Sequence, residues 1–173
     1  MKYYIIVHYH ELSLKGKNRP WFQKKLILNI KKQFSGLQFS SIKLIASRII
    51  ITNIDKAQWK QYKDVLKCII GVKNSILTTH VNAEIQKICD ASYSMVKEHD
   101  FKSFRVAARR QNKQTAFTSQ DINVDVGAYI VKKLNKSVKL KGSDLTIFIE
   151  IINNSAYVGC DKVQGYGGLP IGT

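Results

Sequence analysis

Residues 103–134 read SFRVAARRQNKQTAFTSQDINVDVGAYIVKKL, and within them the apolar period changes from two to nearly four. Phe104, Val106 and Ala108 alternate with Arg105, Ala107 and Arg109, the pattern of a strand buried on one side. A basic and polar run, 110–115, follows. Thr118 then stands three residues before Asp121, a capping-box start with Asp where Glu or Gln is usual. Ile122, Val126, Tyr129, Ile130 and Leu134 recur behind it at helical spacing. The segment is expected to make a strand, a cationic loop and a helix whose capped N-terminus lies near that loop. Helix N-termini and guanidinium forks both favour phosphate.

Charge strengthens that expectation. The chain carries 28 Lys and Arg against 12 Asp and Glu, a net +16. Such an excess points to a polyanionic partner, nucleic acid ahead of a membrane surface, because no basic amphipathic tail or long apolar run is present. Only five of the 28 are Arg, and Arg105, Arg109 and Arg110 fall within six residues. With Lys113 in the loop, Thr118 and Ser119 at the helix start and Lys132 and Lys133 near its end, they are candidate nucleic-acid-binding residues. The competing reading is a solvated basic strand end.

The preceding chain alternates strand and helix patterns. Lys2 to His10 reads as a strand. Pro20 suits a first helical turn, and Phe22, Leu26, Ile27, Ile30 and Phe34 form one apolar face behind it. Ile42 to Ala46 and Arg48 to Ile54 read as strands joined tightly at Ser47. Asp55 starts a second helix through Trp59, Tyr62, Val65 and Leu66, Gly71 stops it, and Val72 to Val81 supplies a further strand. The order β-α-β-β-α-β is the ferredoxin-like arrangement. From Leu12 to Ile54 there are nine Lys or Arg and no Asp or Glu, more than an ordinary solvated helix face requires.

Beyond it, Asn82 is expected to cap a helix through Ile85, Ile88, Cys89, Ser92 and Val96. Leu145 to Ile152 and Ala156 to Cys160 read as a hairpin turned at Asn153-Asn154-Ser155. The expected class is α+β, a ferredoxin-like domain over 1–81 followed by an α/β domain over 82–164, with 165–173 as a Gly-rich loop. Cys68, Cys89 and Cys160 form no C-x-x-C pair, so no metal site is expected, and Cys68 and Cys89 are read as small core residues. The first residues are too short an apolar run for a signal peptide, and the cytoplasm is the expected compartment.

Three motifs together resemble the tRNA sulfurtransferases that make 4-thiouridine, the thiamine biosynthesis protein ThiI family. FRVAARRQNKQTAFTSQDINVDVG is similar to the heart of their THUMP domain. Glu11, Lys15, Gly16, Lys17, Asn18 and Arg19 fill the places of the E-x-x-x-K-G-K-N-R segment that follows their first strand. Gly165 to Thr173 is similar to the G-x-G-G-x-P-x-G-T segment joining the THUMP domain to an ATP-pyrophosphatase domain.

The resemblance implies a THUMP domain over 82–164, its profile start reaching back toward 60. It implies tRNA binding, mainly of the 3′ acceptor end, with the first domain helping through Lys15, Lys17, Asn18 and Arg19. Catalytic residues and cofactors are expected to be none in this chain. ATP and Mg2+ would belong to the catalytic domain beyond it, and the chain alone should be inactive. A persulfide sulfur donor protein and homodimerisation are expected of the complete enzyme. The alternative is a stand-alone THUMP adaptor presenting tRNA to another modifying enzyme.

Overall fold

The computed structural model describes residues 1–9, 16–111 and 116–168. The chain forms two compact units, one of residues 1–77 with the chain from 161 onward, the other of residues 78–160.

The first unit contains β1 (Tyr3–Tyr9), α1 (Arg19–Gln33), β2 (Ser41–Ile45), β3 (Arg48–Ile54), α2 (Trp59–Cys68) and the start of β4 (Val72–Asn82). Its strands are ordered β2-β3-β1-β4, with β1 and β2 both antiparallel to β3. This is the ferredoxin-like β-α-β-β-α-β unit. Ala46 and Ser47 both take positive φ, 48° and 62°, the two-residue turn whose twist matches a hairpin. Leu26 and Ile30 of α1, Phe34 at its C-cap, and Trp59, Tyr62 and Leu66 of α2 meet Ile5, Val7, Ile49 and Ile51 in one core. Each such aliphatic side chain contributes about 1.5–3 kcal/mol by leaving water.

Cys68 departs from the expectation: it is exposed, whereas Cys89 is buried. The inward positions of α2 are 59, 62 and 66, and two residues beyond Leu66 a helix has turned about 200°. Burial also raises the Cys89 thiol to about 11.

The end of the last strand returns to this first core. Val163 joins the cluster, and Trp59 Nε1 donates to Asp161 Oδ2 at 2.5 Å. Gly165 N donates to Lys73 O at 2.9 Å and Gly167 N to Val72 O at 2.8 Å. A Cβ on Gly165 would lie 2.3 Å from the Val72 carbonyl oxygen, so this close backbone approach requires glycine.

The second unit contains the end of β4, α3 (Ile85–Val96), β5 (Ser103–Arg110), α4 (Ser119–Leu134), β6 (Ser137–Val138), β7 (Leu145–Ile152) and most of β8 (Ser155–Gln164). Its strand order is β4-β8-β7-β5-β6. β5 runs parallel to β6 and β7, and β7 and β8 form the antiparallel hairpin expected at Asn153. Asn82 is not the cap of α3. It ends β4, and Glu84 occupies the N-cap without a side-chain capping bond. The β-branched Val81 prolongs the strand pattern through that position.

Candidate nucleic-acid interface

β5 is held at its start and along its edge. Asp144 Oδ2 accepts from the Lys102 and Ser103 backbone N–H groups at 3.0 and 2.8 Å, and from the Ser103 hydroxyl at 3.1 Å. Those donors favour the charged carboxylate, and the Ser103 and Lys102 amides above all hold Asp144 below the usual range. Farther along, Ala108 N donates to Asn123 Oδ1 of α4 at 2.9 Å. The basic end of the strand therefore projects from a fixed backbone.

Strand alternation then divides the arginines. Opposite β7, Arg105 faces Thr146, Ala107 faces Phe148 and Arg109 faces Glu150, all on one side. Val106 lies on the other side, in a groove against α4. Arg105 and Arg109 are exposed, and Arg105 Nε donates to Thr146 Oγ1 at 3.0 Å. Arg110 points to the helix side, half-buried, where Nη1 donates to Phe117 O at 2.9 Å. Arg109 and Arg110, adjacent in sequence, thus cannot grip one phosphate as a fork. Arg110 braces the entry to α4, while Arg105 and Arg109 share a face.

α4 begins with a complete capping box. Asp121 N donates to Thr118 Oγ1 at 3.1 Å, and Thr118 N donates to Asp121 Oδ2 at 2.6 Å. The Thr118 backbone bond is the main reason the Asp121 carboxyl lies below its ordinary range. The backbone N–H groups of Ser119 and Gln120 remain as first-turn donors. Arg110, Thr118 and Ser119 form one corner.

Lys132 and Lys133 do not belong to that corner, since α4 carries them roughly 20 Å away at its C-terminal end. There Lys133 lies over the Tyr129 ring at 5.5 Å, and Lys132 borders the groove. The groove holds about 540 Å³ and is walled by Val106, Val124, Gly127, Val131, Val138 and Leu140. Val124, Val138 and Leu140 are largely exposed. The two-residue strand β6, too short for any periodic signal, supplies one wall.

In the first unit Lys17 and Asn18 are exposed in a 3-10 turn before α1. Arg19 is half-buried, its Nη2 donating to Ser47 Oγ at 2.5 Å. Arg48 Nη1 donates to Ser47 O at 3.1 Å, so both arginines tie onto the β2–β3 turn. Lys15 and Lys113 lie outside the described residues. Sequence reasoning passed over Trp21, which is 52% exposed in the first turn of α1. Its neighbour Phe22 was the apolar signal, and Trp21 falls off that face.

Among the described residues no three His, Cys, Asp or Glu side chains gather as metal ligands. His8 Nδ1 bonds Asn74 Oδ1 at 2.7 Å. His80 Nε2 bonds Ser155 Oγ at 2.9 Å, and burial lowers its pKa. No helix of the described residues is long and apolar enough to cross a membrane.

Two family models match, a ThiI ferredoxin-like domain over residues 4–75 and a THUMP domain over residues 82–161. A probable tRNA sulfurtransferase of Geobacillus sp. is 29% identical over 100% of this chain and 44% of its own length. The chain thus spans less than half the length of the curated relatives it matches. A crystal structure from Pyrococcus horikoshii superposes with a TM-score of 0.88 at 31% identity, covering 100% of this chain and 58% of that one. A 4-thiouridine synthetase in complex with RNA and ATP superposes with a TM-score of 0.81 at 30% identity, covering 99% of this chain and 44% of the other.

Proposed function

From the premise that this chain belongs to the THUMP family, with a ThiI ferredoxin-like domain ahead of the THUMP domain as in the tRNA sulfurtransferases, we propose that it is the tRNA-binding region of a tRNA uridine 4-sulfurtransferase. In this reading the THUMP domain receives the 3′ acceptor end, and Lys17, Asn18 and the lysines of α1 attract the body of the tRNA.

The observation that carries the reading is the β5 face. Arg105 and Arg109 stand exposed on one side of an anchored strand. A guanidinium can grip phosphate bidentately or stack on an unpaired base, whereas an ammonium supplies a point charge. An acceptor end offers both targets. The RNA in the 4-thiouridine synthetase complex and the net +16 support the same partner.

The reading assigns uridine thiolation to a further catalytic domain, for which the greater length of the relatives leaves room. ATP and Mg2+, a persulfide donor protein and homodimerisation belong to that complete enzyme. In this reading no chemical step is assigned to the residues of this chain. Cytoplasmic placement is part of the same proposal.

Competition tests it. Labelled tRNA bound to the chain should be displaced by unlabelled tRNA at far lower concentration than by a blunt RNA duplex of equal phosphate content. Equal displacement by both would reduce the chain to a general polyanion binder and overturn the reading.

A further inference from the structure

Helix α1 has two unlike faces. Leu26, Ile30 and Phe34 point into the first core and are fully buried. On another side, Trp21, Lys24, Leu28 and Lys31 follow one another at spacings of three, four and three, which places them in a single stripe. All four are exposed, Trp21 and Leu28 by half of their surface. The helix contains four lysines, one arginine and no carboxylate. Lysines on a helix are commonly solvated; a half-exposed tryptophan at the head of their stripe is not explained by solubility of the face. The Trp21 ring is also braced, meeting Phe22 edge-on with centroids 5.1 Å apart and planes at 82°.

We propose that Trp21 is a stacking platform for an unpaired base of the bound RNA, with Lys24 and Lys31 on the adjoining phosphates. The inference rests on the RNA-binding reading above and adds a contact in the first unit that does not depend on the 3′ end. Every base has a π-face, so an aromatic ring amid cations recognises single-stranded nucleotides without reading their sequence. A duplex stem hides those faces, and only loops or ends of a tRNA expose them. A lipid surface fits less well. The stripe offers two large apolar side chains, roughly 10 Å apart along the helix, where a membrane-bound helix needs a continuous apolar face. The apolar face of α1 is already in the core.

The two tryptophans make the test direct. Trp59 is 7% exposed and bonded to Asp161, so a bound base should quench Trp21 alone. Titration with tRNA should quench wild-type emission, and Trp21→Phe should abolish that change while leaving the Trp59 emission. Trp21→Ala should weaken tRNA binding roughly 5- to 100-fold, with Trp21→Tyr recovering most of the loss. Trimming the 3′ end should leave the quenching in place, and a long blunt duplex should produce none. If tRNA binds with unchanged emission and Trp21→Ala binds as tightly as wild type, the stacking platform is overturned while RNA binding stands. If wild type binds no RNA, the underlying reading fails and takes this one with it. Quenching by anionic phosphatidylserine vesicles without quenching by tRNA would overturn the proposal in favour of a lipid surface.

Discussion

Arg109 and Arg110 differ by one residue and by their whole environment. Arg109 is exposed on the face it shares with Arg105, whereas Arg110 is half-buried and donates to the Phe117 carbonyl. Their replacements should therefore separate two quantities. Arg109→Lys is expected to weaken tRNA binding several-fold with an unchanged melting temperature. Arg110→Ala is expected to lower stability by about 1–3 kcal/mol, the cost of losing a charged donor to a half-buried acceptor, as read by denaturant unfolding. Asp144 supports a pH prediction. Its amide donors hold the folded-state pKa below the ordinary 3.8, so its stabilisation is present above that value and is lost as pH falls through the lower folded-state pKa. Asp144→Asn should destabilise the chain at neutral pH and flatten the fall of stability below about pH 4. An unchanged acid limb would contradict the Ser103–Asp144 anchor.

At the scale of elements, the long periodic segments were legible and the short or strained ones were not. α4 was readable because Thr118 and Asp121 bracket its start and its apolar residues keep helical spacing as far as Leu134. The β2–β3 hairpin was readable from two Ile-rich runs around Ser47. β6 was not, since two residues have no period and Ser137–Val138 pairs only because β5 leaves an open edge. The cap of α3 was misplaced because Asn82 is a better capping residue than Glu84, yet β4 runs through it. Of the candidate site, the basic types and the shared outer face of Arg105 and Arg109 were visible, but the inward face of Arg110 was not, because it shows only once the strand is known to continue through that residue. The return of the chain to the first core was also invisible, because it depends on Gly165 meeting the Val72 carbonyl from far along the sequence. Gly165→Ala should therefore lower the melting temperature by several degrees, whereas Gly36→Ala, with open space around its Cβ but a φ of 86°, should cost only backbone strain of about 1–2 kcal/mol.

For the molecule as a whole, charge sets the reach of attraction and geometry sets what is recognised. The first 71 residues carry 14 basic and 3 acidic residues, so the long-range attraction is concentrated there. Replacing Lys24 and Lys31 by Gln should reduce the slope of log affinity against log salt by roughly 0.7–0.9 per lost phosphate contact, for every tRNA alike. An unchanged slope would return these lysines to solvent. Recognition of the acceptor end is the central claim, and it is tested most directly by titrating intact and 3′-trimmed tRNA at one salt concentration. The chain and its Arg105→Lys, Arg109→Lys variant, whose net charge is the same, are compared. The account predicts that wild type prefers intact tRNA by roughly 5-fold or more, and that the variant loses most of that preference while its affinity for trimmed tRNA stays nearly unchanged. Equal wild-type affinity for the two RNAs would contradict it.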